Sequence, residues 1–474
     1  MKTIYNFLIM VVVFCLMGAI LTSCDDYLDL TPKGATLLDN FNDLELLATG
    51  YYSNSSWEYD EMEVLVNDSY GRPNSFMTTL SQTNSVAYAE LTYNESIDRA
   101  SLTESSGWYS GNYSAIVCMN QVVNATPSVD VSESEKARLV AQARVKRAYF
   151  HYLMVIPFCK QYDASTAAQE GGIPYVTDIN PGEQNEKLTL QETYDQMLAD
   201  CSDDVLAALP DEPTNVLLPG KAFGYAVRAK ILLQMKNYSE ALKYAEQSLR
   251  YNAAIEDRTP IVNDPFSFTL EPTDVYNNFF AEALSNGYYS YYISAETAAL
   301  FEDGDILKDY AIYQQTDERT VYVWNWDDIV GLDNQVLCWK AGAMRRNNTG
   351  GITSEQMYYI AAECNIRTGN ISEGMRLVNE VRKYRIAPDK YQPLTATTEQ
   401  EAMQQMQRCK RIECLFTYNT FADMKRWNTE SNYTQTITRT LAGQTYTLSP
   451  TSPLWVFPFP KNATRYNTTL TQNY

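Results

Sequence analysis

Apolar positions in this chain first run together and then fall into step. From Phe7 to Leu21 they form an almost unbroken stretch of 15 residues behind the basic Lys2. That length suits the core of a signal peptide and is short for a membrane-spanning helix. Farther on, apolar residues recur at intervals of three and four, the spacing of an amphipathic helix. Three such segments open on a hydroxyl residue with a glutamate three positions later: Ser132 with Glu135, Thr189 with Glu192, and Thr398 with Glu401. Each pair has the pattern of a capping box, in which side chains satisfy the orphan N–H groups of a helix start. The first predicted helix ends near Pro157, because proline cannot continue the ladder. The second is predicted to run from Leu190 to a stop at Pro210.

Two further segments, 220–250 and 354–382, read as helical hairpins. In the first, Ala222, Ala226, Ala229 and Leu233 share a face, Asn237 breaks the helix, and Leu242, Ala245 and Leu249 line the next face. The second repeats this plan about a break at Gly369-Asn370. Small residues stand 12 positions apart in both, Ala229 with Ala241 and Ala362 with Gly374. The tetratricopeptide repeat has this spacing, because small side chains let two antiparallel helices approach closely. A pair of generic αα-hairpins is the plainer alternative.

Elsewhere the rhythm is lost. Residues 51–105 and 253–350 are rich in Asn, Asp, Pro, Tyr and Trp, as in "GYYSNSSWEYD", "VNDSYGRPNSF", "NGYYSYYIS" and "VYVWNWDDIVGLDN". They are predicted to be loops with short strands. The expected organisation is therefore a signal segment, 1–23, followed by one domain, 24–474. Its helical scaffold lies at about 35–50, 108–252 and 354–430, and the two irregular insertions interrupt it. Irregular segments on a rigid scaffold are where function usually sits.

Charge narrows the options. The formal net charge is −21, and it becomes −22 when residues 1–23, with Lys2, are removed. Such a chain repels phosphate backbones, so nucleic acid is not an expected partner. The nine cysteines include no CxxC pair; with Cys15 in the signal and Cys24 set aside, they suggest buried thiols and neither a disulfide framework nor a zinc site. The only histidine, His151, sits among aromatics in "RAYFHYLM" and reads as a packed helical residue; HExxH is impossible. Asp327, Asp328 and Asp333 miss the alternating pattern of a calcium loop. No metal, cofactor or catalytic motif is expected.

"LTSCDD", Leu21 to Asp26, resembles the lipobox of bacterial lipoproteins, in which cleavage precedes a cysteine that is then acylated. An ordinary secretory signal is the alternative. On the lipobox reading Cys24 is the lipid anchor, and several acyl chains give a stable attachment. Asp25 and Asp26 resemble a surface-export signal of some Gram-negative lipoproteins.

From end to end, the order of motifs resembles the SusD/RagB family of surface lipoproteins. The motifs are "CDDYLDLTPKG", "WYSGNYSAIVCMNQVV", "AQARVKRAYFHYLMVIPF" with "GGIPYV", "ISAETAALFEDGDILKDY", "MYYIAAECNIRTGN" with "VNEVRKYR", "RCKRIECLFTYNTFADMKRW" and "LWVFPFP" with "LTQNY". One departure is Phe416-Thr417-Tyr418-Asn419, where the family often has Phe-Glu-Gly; it touches the scaffold. The resemblance implies a mainly α fold of about four tetratricopeptide-like helix pairs packed against an irregular, loop-rich ligand-binding half with short strands. It implies capture of an oligosaccharide at the outer-membrane surface and delivery to a SusC-like TonB-dependent transporter, without catalysis. A smaller branch of the family takes peptides.

Sugars present apolar C–H faces and a hydroxyl rim, so aromatic rings and polar side chains recognise them together. Trp324 and Trp326 alternate with Val323 and Asn325, which in a strand puts both indoles on one face. Tyr289 and Tyr291 share a face in the same way, and Asp68, Tyr70, Arg72 and Asn74 are offered by a turn. A buried strand face and a solvated turn are the competing readings. Trp108, Trp339, Trp427 and Trp455, with Tyr244, Tyr358 and Tyr359, are expected to be scaffold. A glycosidase needs two flanking carboxylates, and with 58 acidic residues such a pair would arise by chance. A helical scaffold that binds only protein partners is the remaining alternative.

Overall fold

The computed structural model describes residues 38, 40–49, 57–69, 79–180, 184–214, 216–263, 291–310, 312–314, 337–339, 351–415, 417–441 and 443–474. In chain order, the first helices are α1 (Phe41–Thr49), α2 (Trp57–Leu65), α3 (Val86–Thr92), α4 (Gly107–Ala125) and α5 (Glu133–Phe158). A two-stranded ladder follows, β1 (Gly171–Pro174) with β2 (Lys187–Thr189), then α6 (Leu190–Asp200), α7 (Asp203–Ala207), α8 (Lys221–Gln234) and α9 (Tyr238–Tyr251). Beyond these come β3 (Tyr291–Ile293), β4 (Ile312–Gln314) and β5 (Leu337–Trp339), then α10 (Ser354–Arg367), α11 (Ile371–Arg382), α12 (Glu399–Glu413) and α13 (Asn419–Trp427). The hairpin β6 (Ile437–Leu441) and β7 (Gln444–Leu448) precedes the C-terminal segment.

Helix pairs build the scaffold. Helices α4 and α5, α8 and α9, and α10 and α11 pack as antiparallel hairpins, and α9 packs on α10, so the second pair stacks on the third. Helix α12 then lies across both members of the third pair. The small residues do what their spacing predicts. A Cβ on Gly374 would stand 2.5 Å from Ile366 Cγ1 and 2.8 Å from the Ala362 carbonyl, and Ala229 and Ala241 are fully buried. Asn237 caps α9, and Gly369, at φ +91°, turns the chain between α10 and α11.

Two of the expected capping boxes form complete, at Ser132/Glu135 and Thr189/Glu192. The third is displaced: Thr398 accepts from the Glu401 N–H, but the Glu401 carboxylate reaches past the cap to the N–H of Thr397, 2.9 Å away. The helix predicted from 190 to 210 is two helices. It breaks at Cys201-Ser202 (Cys201 φ −123°, ψ 37°), and Ser202 with Asp203 and Asp204 starts a new helix. Serine followed by acids in a first turn is itself a helix-start signal, and it outweighs the continuing apolar period.

The first insertion also differs from expectation. Where described, it holds helices (Trp57–Leu65, Val86–Thr92 and Arg99–Leu102) in place of strands, and its only strand-like contact among the described residues is the bridge Ser69–Ile293. The second insertion does carry short strands, an antiparallel sheet in the order β3-β5-β4.

The core takes in Trp108, Trp427, Trp455, Tyr244 and Tyr359 as expected; Tyr358 is half-buried, and the Trp339 side chain lies outside the described residues. The indole N–H groups of Trp108, Trp427 and Trp455 donate to Leu153 O, the Glu363 carboxylate and Ser449 O, at 2.9, 2.8 and 2.9 Å. His151 is buried, stacked on Tyr175 with ring centroids 3.7 Å apart. Its Nδ1 lies 2.9 Å from Arg147 O and its Nε2 accepts from the Val176 N–H at 3.1 Å, which fixes the neutral Nδ1–H tautomer. Where the chain departs from the family pattern, Tyr418 is buried against Tyr149 (3.0 Å between hydroxyls), and Asn419 with Gln356 holds the buried ammonium of Lys230. Cys118, Cys159, Cys201, Cys364, Cys409 and Cys414 are all free thiols.

Candidate functional site

Among the described residues, the two insertions meet where α2 ends and β3 ends. The chain leaves α2 through Asn67, a non-glycine residue in the left-handed region (φ 61°) that asparagine tolerates better than most. Ser69 then pairs in an antiparallel bridge with Ile293, and the Ser294 N–H donates to Asp68 O at 3.2 Å. Ser294 Oγ and Thr297 Oγ1 both donate to Asn67 O, at 2.5 and 3.0 Å. Ser294 is also the N-cap of the short helix Ala295–Ala298. Register in the sheet sets Tyr291 opposite Trp339, with Ile312 on the far side of the same rung.

Two arginines from the scaffold clamp this junction. Arg411, on α12, donates from Nε to Asp68 Oδ1 at 2.6 Å and from Nη2 to Val66 O and Thr297 Oγ1, at 3.0 and 2.9 Å. Arg439, on β6, is fully buried. It donates from Nε to Asn67 Oδ1 at 2.8 Å and from Nη1 to Leu91 O at 2.7 Å, and from Nη2 to Val64 O. Its guanidinium lies 4.7 Å from the centre of the Tyr93 ring. The Asn67 amide donates onward to Glu296 Oε2 and Thr438 O, both at 3.1 Å. Burial raises the Asp68 pKa above its ordinary value, and the Arg411 charge and hydrogen bond work against that rise. The clamp satisfies backbone groups that an irregular turn leaves open, and so fixes the start of one loop against the end of the other.

The predicted site residues divide around this clamp. Asp68 is 0% exposed, so its carboxylate faces Arg411 inside the scaffold and holds the loop's root. The backbone of Tyr291 lies in β3. Tyr70, Arg72, Asn74, Tyr289, Trp324 and Trp326 lie outside the described residues, as does Cys24. Tyr70 follows the bridge residue Ser69 directly, and Tyr289 stands two residues ahead of β3, so the chain enters both predicted segments from this junction. Sequence reading missed Arg411, Arg439, Asn67, Ser294 and Thr297. Arg411 lay within the quoted "RCKRIECLF" motif, but its partner Asp68 is 343 positions away.

Among the described residues, no group of three or more His, Cys, Asp or Glu side chains could hold a metal ion. No helix among them is long and apolar enough to cross a membrane.

A stacked helical scaffold holds Asn67–Ser69 against Ile293 and Ser294, and known proteins share its build. Residues 26–233 match a family described as "Starch-binding associating with outer membrane", and residues 356–474 match the "SusD family". The chain belongs to the SusD/RagB family. Among solved structures, it is similar to a SusD superfamily protein of Bacteroides thetaiotaomicron at 15% identity, covering 92% of this chain and 100% of that one, TM-score 0.66. It is similar to a SusD-like carbohydrate binding protein of Bacteroides vulgatus at 14% identity, covering 91% and 97%, TM-score 0.64. It is also similar to surface glycan-binding protein A of Bacteroides uniformis at 14% identity, covering 91% and 98%, TM-score 0.61. At these identities the likeness is one of fold. No curated protein sequence matches the chain.

Proposed function

We infer that the chain is a cell-surface lipoprotein that captures an oligosaccharide and passes it to a SusC-like TonB-dependent outer-membrane transporter. The observation that carries this reading is the clamp: Arg411 and Arg439 hold Asp68 and Asn67, and Ser69 and Asn67 are joined to Ile293 and Ser294, next to the aromatic-rich stretches. Preorganised aromatic and polar groups are what a sugar site needs, because order built into the scaffold is not paid for on binding. In this reading Tyr70, Arg72 and Asn74 supply the hydroxyl-rim contacts. Tyr289, Tyr291, Trp324 and Trp326 supply the ring platform, and Asp68 supports them from below. Cys24 carries the acyl chains, and Asp25 and Asp26 direct the protein to the outer face of the outer membrane.

Family membership and the carbohydrate-binding descriptions of similar structures support a sugar over a peptide. The role is binding and hand-over, with no catalytic step and no cofactor. Retention of the purified protein on immobilised glycans tests the ligand class. Silence on glycans together with tight peptide binding would move the protein to the peptide-binding branch. Mass spectrometry of the native N-terminus tests the anchor, where an unmodified Cys24 or an uncut signal contradicts it. Co-purification with an outer-membrane transporter tests the partner.

A further inference from the structure

On the same two helices that the clamp grips through Val64 O and Leu91 O, a cleft of about 240 Å³ opens between α2, α3, the loop 102–106 and the C-terminal segment. Its apolar walls are Met62, Trp108, Phe158 and Phe457, with Pro157 and Pro458, and Thr103, Ser105 and Ser106 also line it. Leu102, 36% exposed, stands at the lip. One charged side chain in this lining is buried and unpaired. Glu90, on α3, forms part of the wall, is 2% exposed, and has a carboxylate oxygen, Oε1, buried without a hydrogen-bond partner. An unpaired carboxylate in an apolar wall is costly, and a fold keeps one when a ligand completes it or a proton neutralises it.

We propose that this cleft is a second ligand site, for an organic cation: a guanidinium or ammonium head on a flat apolar body, with Glu90 as its counter-ion. The chemistry follows from the walls. Trp108 and Phe158 offer aromatic surface to an apolar body and to a cation, and weakly hydrated guanidinium is the head that tolerates such surroundings best. Arg99 acts on Glu90 through its charge, and its Nη1 is buried without a partner, but it makes no hydrogen bond to that carboxylate. Its Nη2 is spent on the carbonyls of Pro453 and Val456, at 2.9 and 3.0 Å, and its guanidinium lies 5.1 Å from the centre of the Tyr474 ring. The other charged groups lining the cleft are Glu61 on α2 and Glu104 at the rim, and Glu104 is paired with Lys461 and Arg465. Burial raises Glu90 to about 8 against the pull of Arg99, so a cation entering the cleft must also displace a proton at neutral pH.

Calorimetric titration of the full protein with benzylguanidinium and with its neutral isostere benzylurea tests the proposal. Both probes keep their charge across the working range. The guanidinium should bind at least about tenfold more tightly than the urea, with affinity rising about tenfold per pH unit below 8 and levelling above it. Glu90→Gln should lose both the preference and the pH dependence, while glycan binding by the same variant stays intact. Equal binding of the two probes to the wild-type protein would reduce the cleft to apolar surface, whatever the variant does. No binding of either probe, or unchanged guanidinium binding by Glu90→Gln, would also overturn the proposal. Because the glycan measurement uses a different ligand, failure here leaves the sugar-capture reading standing, and the reverse holds.

Discussion

Ser69 bridges Ile293, and beside that bridge Ser294 donates its hydroxyl to the carbonyl of Asn67, 227 positions away in the chain. Two insertions far apart in the chain are thereby held at a common root. The root is buried and charged, and it is tied to α12 by Arg411 and to β6 by Arg439. A scaffold that spends two arginines on a loop junction is fixing where the loops start, which is the geometric condition for a preorganised site.

Removing Arg411 should therefore cost both stability and binding. Its side chain is 17% exposed and that of Asp68 is fully buried, so the pair is shielded from water. Arg411→Ala strands a buried carboxylate, and the expected loss is about 3 kcal/mol. Arg411→Lys should recover only part of it, because an ammonium cannot reproduce the fork that also holds Val66 O and Thr297. Chemical denaturation reads the result, and a loss below about 0.5 kcal/mol would mean that the junction is held by something else.

The only histidine gives a clean pH signature. Burial, opposed by the hydrogen bond to Arg147 O, lowers His151 to about 3. The unfolded chain binds a proton near the ordinary histidine value of about 6.5, and the folded chain does not. Stability from this residue is thus complete above pH about 6.5 and is lost as pH falls towards the folded value, by about 1.4 kcal/mol at pH 5.5. With one histidine in the chain, its imidazole NMR signals should not titrate between pH 8 and 5. A titration centred near 6.5 would show that the ring reaches water.

Gly374→Ala tests the close approach of α10 and α11. Alanine in a helix normally gains about 1 kcal/mol over glycine. Here the new methyl would meet Ile366 Cγ1 at 2.5 Å and the Ala362 carbonyl at 2.8 Å, and a backbone atom does not yield easily. Overpacking of this kind costs about 1–3 kcal/mol, so the variant should melt lower than the wild type. A stabilised variant would mean that the pair is loosely packed.

Much of the scaffold was legible because its signals are local. Ala362 and Gly374 stand one repeat spacing apart, and the contact they imply is present. Ser132 and Glu135 sit in one turn and form the box they announce. Glu401 shows the limit, since a side chain with several torsions chose Thr397 over the cap next to it. Cys201-Ser202 shows another, because a helix-start signal was hidden inside a continuing apolar period. The roots of the site were not legible at all. Asp68 in "VNDSYG" reads as a ligand contact or a solvated turn residue, and only a partner 343 positions away, on a helix with its own pattern, makes it a buried anchor. Pairings at that distance leave no periodic trace in either segment.

The most direct test of the account is binding of the full protein to immobilised oligosaccharides, with Trp324→Ala and Trp326→Ala variants of unchanged circular dichroism beside it. The account predicts retention of the wild-type protein and a loss of at least about tenfold in affinity, or about 1.4 kcal/mol, in each variant. Wild-type-like retention of both variants, or no retention of the wild type on any glycan while a peptide binds tightly, would contradict it.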